Sequence, residues 1–204
     1  MNTLEQIVQY KKEWVRERKK IVSFSQLEKE IYFKRDIFSL KNRLQSKIGP
    51  GIIAEFKRRS PSKGVINDTA DISEVTRGYT KAGCSALSVL TDQQFFGGDN
   101  LDLMKARENP IPVLRKDFII DEWQVIETKA IGADVILLIA ACLTARQTRQ
   151  LAGLAKSLGL EVLLELHDEN ELDHICEETE LVGINNRNLK TFEVNMDKSF
   201  AMAQ

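Results

Sequence analysis

The spacing of apolar positions changes near residue 50. Before it, Leu4, Ile7, Val8, Trp14 and Val15 recur at helical intervals and predict a helix from Leu4 to about Lys20. Thr3 and Gln6 are spaced as its capping box. A second helix is expected over Gln26–Tyr32, with Ser25 as N-cap and Glu28 as its capping-box partner, and a third helical piece over Phe38–Ser46. From Gly51 onward, short β-rich runs alternate with amphipathic segments. The strands expected are Ile52–Arg58, Ala86–Thr91, Ile111–Lys116, Val135–Ala140, Glu161–Leu166 and Leu181–Asn185. The helices expected between them are Asp71–Ala82, Leu101–Arg107, Glu122–Ala130, Thr144–Ser157 and Glu169–Glu177. Gly83, Gly132 and Gly159 each fall just past a helical run, where a left-handed stop is needed.

Strands separated by helices at this spacing imply βαβ units and a parallel sheet. Two closures fit: an open doubly wound sheet and a (β/α)8 barrel, which typically needs ~250 residues. No strand is followed by G-x-G-x-x-G or G-x-x-x-x-G-K-[ST], which disfavours a nucleotide-binding open sheet. The organisation expected is a helical extension over residues 1–50 and a (β/α) barrel over 51–204, stopping about two βα units early.

Charge and composition exclude several classes. A net charge of -1 provides no global field for nucleic acid or anionic membranes. The longest apolar run, Val135–Leu143, is well short of the ~18 residues of a membrane span. Cys84, Cys142 and Cys176 lack paired metal spacing and are expected reduced, in a cytoplasmic protein, with Cys142 a buried thiol. Lys11, Lys12, Arg16, Arg18, Lys19 and Lys20 crowd the first helix, but Glu5, Glu13 and Glu17 dilute them, so a solvated helix face is expected. His167 and His174 stand outside any H-E-x-x-H and are read as structural, with no metal site.

Candidate chemistry sits at strand ends. Glu55 and Lys57 share one face of the first strand. The third ends in Arg115-Lys116-Asp117, the fifth in Glu165 with His167 and Asp168, and the sixth runs into Asn185-Asn186-Arg187-Asn188. In parallel α/β folds, sites are built at these ends. Lys57, Lys116 and Arg187 suit carboxylate or phosphate. Glu55 and Glu165 suit acid–base work if their surroundings differ. A module that only holds an anion is the competing class, but it gains nothing from the carboxylates. Phe95 and Phe96, beside Gly97 and Gly98, suit either a wall for a flat ligand or a tightly packed loop.

The run "IIAEFKRRSPSKG" resembles the first-strand motif of the indole-3-glycerol phosphate synthase family. "SVLTDQQFFGGDNLDLM", "PVLRKDFIIDEWQV", "GADVILLIAACL", "EVLLELHDENEL" and "VGINNRNLKTFEV" are similar to that family's later segments, in order. The resemblance implies a (β/α)8 barrel that closes the ring of 1-(o-carboxyphenylamino)-1-deoxyribulose 5-phosphate. The product is indole-3-glycerol phosphate, formed for tryptophan biosynthesis with release of carbon dioxide and water, and no metal or organic cofactor is used. It further implies Lys116 as general acid, Glu165 in proton transfer during dehydration, and Glu55 as a further acid–base or hydrogen-bonding partner. Lys57 would contact the substrate carboxylate and phosphate. Asn185 and Arg187 would orient substrate, Ser60 would support it, and Phe96, Phe95 and Phe118 would line the anthranilate pocket. The family's seventh and eighth strands have no counterpart here. Two expectations follow: a piece of an active synthase, or a non-catalytic short barrel that associates through its open sheet edges. Another phosphate-handling barrel enzyme of the pathway is disfavoured by Lys57, Lys116 and Glu165 together.

Overall fold

The computed structural model describes residues 2–46, 49–187, 194 and 197–202. Within them, six parallel strands form one sheet in chain order: β1 (Ile53–Phe56), β2 (Ala86–Leu90), β3 (Val113–Lys116), β4 (Val135–Ile139), β5 (Glu161–Leu166) and β6 (Leu181–Ile184). The main helices are α1 (Thr3–Ile21), α2 (Ile72–Lys81), α3 (Asn100–Ala106), α4 (Glu122–Ala130) and α5 (Ala145–Ser157). Gly83, Gly132 and Gly159 all have positive φ, as their positions after α2, α4 and α5 require.

Alternation along each strand separates two cores. Val135, Leu137 and Ile139 point inward, with Ala86, Leu114, Leu163, Ile53 and Leu181. Ile136 and Leu138 point outward with Val162 and Leu164, against Val125 of α4 and Leu151 and Ala155 of α5. Phe56, Leu87, Val89 and Val113 face α2 and α3 in the same way. Ile53 of β1 and Leu181 of β6 share the inner cluster, although these are the outermost strands. At a strand spacing of about 4.8 Å, a flat six-stranded sheet would hold them about 24 Å apart. The sheet is therefore curled, with the inward side chains filling the curl.

Local corrections have simple causes. The α1 capping box uses Asn2 and Glu5 rather than Thr3 and Gln6, because Asn is the stronger N-cap. The second helix is a single turn, Phe24–Leu27, with Ser23 in place of Ser25; its backbone N–H donates to Gln26 Oε1 at 2.8 Å. The segment after β5 is a 3-10 turn, Glu169–His174, rather than an α-helix to Glu177. β1 stops at Phe56, two residues short of the expected Arg58, and a small hairpin, Arg59–Ser60 against Gly64–Val65, follows it.

The larger correction concerns Lys11. It is buried, not solvated, and lies 2.8 Å from both Asp92 and Asp117. Ile7, Lys11 and Val15 are four apart, so one buried stripe of α1 carries all three. Burial pushes the Lys11 pKa down, but Asp117 and Asp92 outweigh it and the net shift is upward. Burial likewise works against the Asp117 carboxylate, yet Lys11 and Arg115 hold it far below the usual carboxylate range. Farther along the extension, Trp14 meets Trp123 edge-on at 6.0 Å, and Trp123 Nε1 donates to the Val22 carbonyl at 2.9 Å. Arg35 then reaches Asp134 at 2.5 Å, and Glu161 accepts the Leu40 N–H at 2.8 Å. Leu40 enters the inner core beside Ala86 and Val135, each the first residue of its strand. The N-terminal segment thus grips both ends of the curled sheet.

Removing Lys11 takes the shared cation from two buried carboxylates and leaves Asp117 only Arg115, Thr91 and the Phe118 N–H. Lys11→Met is expected to lose ~3–5 kcal/mol in urea denaturation at neutral pH. Asp117 has a depressed folded pKa, so its stabilisation is present above its unfolded value of ~3.9 and is lost as pH falls through the folded value. The deficit of Lys11→Met should therefore shrink in acid; a deficit that stays constant down to the acid transition would rule out the charge pairing as its source. Gly98 is the second fixed point. A Cβ there would lie 2.1 Å from the Leu90 carbonyl oxygen, so Gly98→Ala should cost at least ~1–3 kcal/mol, read as a lowered melting temperature.

Candidate active site

The inward alternation continues past the strand ends. Glu55 and Lys57 leave β1, Lys116 and Phe118 leave β3, Glu165 and His167 leave β5, and Asn185 and Arg187 leave β6 on one face each. They meet in a cleft of about 330 Å³ at the C-terminal ends of the strands. Its floor is Leu137 and Ile139 of β4, and Leu90, Phe96 and Phe118 wall it. Thr3, Leu4 and Ile7 of α1 cover it. Ser60 to Lys63, from the hairpin after β1, also line it.

Two ion pairs organise the polar side. Lys116 Nζ donates to Glu165 Oε2 at 2.7 Å, and Asn185 Nδ2 donates to Glu165 Oε1 at 3.0 Å. Burial pushes the Glu165 pKa up, but the Lys116 charge and the two hydrogen bonds outweigh it and hold it low. At neutral pH Glu165 is therefore a carboxylate, ready to accept a proton rather than give one. Across the cleft, Lys57 Nζ donates to Glu55 Oε1 at 2.5 Å. These side chains are about one third exposed, so ligand can reach them.

Of the aromatic candidates, Phe96 and Phe118 face each other across 6.0 Å at a tilt of 34°. Phe95 is a correction: it does not line the cleft but meets Tyr10 of α1 edge-on at 5.6 Å. Neighbouring residues on the helical turn Gln93–Phe96 point in different directions, so one wall position excludes the other. The aromatic–glycine loop is both a wall, through Phe96, and a tightly packed turn, through Gly98. Asn188 lies outside the described residues.

Other residues join the site unexpectedly. His167 lines the cleft with Nε2 3.4 Å from Glu165 Oε1, although neither ring nitrogen has hydrogen-bond geometry to a partner among the described residues. Its parity with Glu161, Leu163 and Glu165 along β5 was the available signal. His174, by contrast, is buried on Thr148 Oγ1 at 2.9 Å, a structural role. Cys142 is partly buried, and its thiol is pushed up to about 12 by burial, with Glu165 and Glu171 adding to the effect. It is no nucleophile at neutral pH.

The model of the family described as "Indole-3-glycerol phosphate synthase" matches residues 4–204. The chain is 47% identical over 201 residues to the indole-3-glycerol phosphate synthase of Bacteroides thetaiotaomicron, covering 98% of this chain and 77% of that one. It is 44% identical over 198 residues to that of Bordetella pertussis, covering 95% and 76%. Among solved structures, a complete multifunctional pyruvate carboxylase from Rhizobium etli aligns with a TM-score of 0.51 at 14% identity, over 80% of this chain and 19% of that one. That likeness concerns the fold alone. The family match runs through the covering helix as well as every strand that contributes to the cleft, and the chain belongs to the indole-3-glycerol phosphate synthase family.

Proposed function

We propose that the cleft closes the indole ring of 1-(o-carboxyphenylamino)-1-deoxyribulose 5-phosphate to give indole-3-glycerol phosphate, carbon dioxide and water. The observation that carries this is the Lys116–Glu165 pair at 2.7 Å, a proton donor held against a proton acceptor at the mouth of the curl. The reaction needs both. As the carboxyl-bearing ring carbon attacks the ribulose carbonyl carbon, Lys116 protonates the carbonyl oxygen. The carboxylate departs as carbon dioxide. A second proton from Lys116, recharged between the two steps, then lets the new hydroxyl leave as water while Glu165 removes a proton from the methylene carbon, completing the aromatic ring.

The rest of the cleft addresses positioning. Phe96 and Phe118 suit the flat anthranilate ring, with Leu137 and Ile139 beneath it. Lys57 and Arg187, on opposite edges of the sheet, suit the two anionic ends of the substrate. Glu55 holds Lys57 until substrate competes for it, and Asn185 fixes the Glu165 carboxylate. Ser60 supports the hairpin beside them, its Oγ accepting the Lys63 backbone N–H at 3.2 Å. Holding the two reacting carbons together removes part of the entropic barrier. No group of His, Cys, Asp and Glu suited to a metal occurs among the described residues, and the proposed steps call on none.

The same reading puts the enzyme in the cytoplasm, where its free cysteines stay reduced. No helix among the described residues is long and apolar enough to cross a membrane. The outer edges of β1 and β6 lack strand partners among the described residues, which supports pairing between copies. Sedimentation velocity should then show mass rising with concentration; a constant monomer mass would remove that part.

Turnover, followed by indole fluorescence, tests the main reading. Lys116→Ala should lower kcat by ~10²–10⁴, while Lys57→Ala should act mainly on KM. Activity that survives Lys116→Ala would place the proton donor elsewhere.

A further inference from the structure

The aromatic half of the cleft is bounded by three elements that lie far apart in the chain. Phe96 ends the short turn Gln93–Phe96, Phe118 stands two residues past β3, and Leu4 and Ile7 belong to α1. All three elements meet at one ammonium group. Lys11 lies one turn after Ile7 on the buried stripe of α1, with Nζ 2.8 Å from Asp92 Oδ2 and 2.8 Å from Asp117 Oδ1. Asp92 is the N-cap of the Phe96 turn. Its Oδ1 accepts the Phe95 N–H at 2.7 Å, and its carbonyl accepts the Gly98 N–H at 2.9 Å. Asp117 Oδ1, the oxygen beside Lys11, also accepts the Phe118 N–H at 2.8 Å. Lys11 itself does not line the cleft.

We propose that Lys11 is a specificity-determining positioning residue: by tying the Phe96 turn, the Phe118 strand end and the α1 roof to one charge, it sets the size of aromatic ring the cleft accepts. This rests on the synthase reading, in which Phe96 and Phe118 receive the carboxyphenyl ring. Lys11, Asp92 and Asp117 are all buried, so water does not substitute for a lost partner. Asp92 Oδ2 has no hydrogen-bond partner among the described residues, and the Lys11 charge is what stands beside it. Separating a buried carboxylate from its cation is costly. That cost resists any motion that draws the Phe96 turn away from the Phe118 strand end. Tyr10, next to Lys11, adds its edge-on contact with Phe95 at 5.6 Å.

The two walls stand 6.0 Å apart between ring centroids, within aromatic contact. An extra methyl on a bound ring therefore meets a wall, and it is rejected only where that wall is held in place. A held apolar pocket distinguishes one methylene by roughly 10–200-fold, and a wall free to retreat gives that discrimination up. Without Lys11, Thr91 and Arg115 still hold the other Asp117 oxygen, so the end of β3 and Lys116 keep their support. What is lost is the tie from that strand end to the helix and to the Phe96 turn. The expected result is a looser ring pocket beside an intact Lys116–Glu165 pair.

The test compares kcat/KM for the parent substrate with that for four analogues, each methylated at one of the four free carbons of the carboxyphenyl ring. The unsubstituted chain is expected to disfavour at least one analogue by roughly 10–200-fold. Lys11→Met should shrink that preference roughly tenfold and raise KM for the parent substrate. Asp92→Asn keeps the cap acceptor but removes the charge, and should shift the preference in the same direction; it carries the test if Lys11→Met does not fold. Both kcat/KM values come from one sample, so the folded fraction cancels and plain destabilisation leaves the preference unchanged. An unchanged preference in the folded variant would overturn the inference. So would an unsubstituted chain that takes all four analogues as readily as the parent. In either case turnover of the parent substrate by the unsubstituted chain keeps the synthase reading. No turnover there would overturn that reading, and the inference about Lys11 with it.

Discussion

Asp117 is the point on which the site's geometry depends. One carboxylate takes Lys11 from the covering helix, Arg115 from β3, Thr91 from just past β2, and the Phe118 backbone N–H. Arg115, fully buried, continues the network to Glu127 at 2.6 Å and Thr128 at 3.1 Å on α4. The network therefore joins the extension, the sheet and the helix layer in one set of charges. It also brackets Lys116. The residues on either side of that lysine in sequence are held outward by ion pairs, and strand alternation then sends Lys116 inward.

Two kinds of ion pair result, and their surroundings assign them different work. Outward pairs around Arg115 and Asp117 are dry and multiply hydrogen-bonded. Each charge there is costly to strand, which gives the arrangement a single geometry. Inward pairs, Lys116–Glu165 and Lys57–Glu55, are partly wet and in reach of a ligand. Water screens them, so they contribute little to stability and can be exchanged for substrate. The protein thus places its rigid electrostatics behind the strands and its exchangeable electrostatics in front of them.

Much of this is legible in the sequence. Glu161–Leu166 and Glu122–Ala130 match end to end, because Gly159 and Asp168 bracket the one and Asp121 and Gly132 the other. Glu55, Lys57, Lys116, Glu165, Asn185 and Arg187 group by their place at strand ends, and all of them line the cleft, as does Phe118, which only the family resemblance singles out. The failures have a common cause. Lys11 looks like any lysine of a basic helix until two carboxylates from other elements close on it. Phe95 and Phe96 are indistinguishable by composition, and only the direction of a short turn separates the wall from the Tyr10 contact. His167 belongs to no metal motif, and only its parity with Glu165 marks it as facing inward.

The sequence by itself determined the alternation of strands and helices, the end of the sheet where chemistry gathers, and which residue types could move protons or hold anions. These are local properties, set by side-chain periodicity and by the conformational demands of glycine and capping residues. Tertiary structure alone decided that the first and last strands share one core, that an N-terminal helix roofs the cleft, and that Lys116 meets Glu165. Those contacts join residues far apart in the chain, and their energies depend on burial, which no short window of sequence contains.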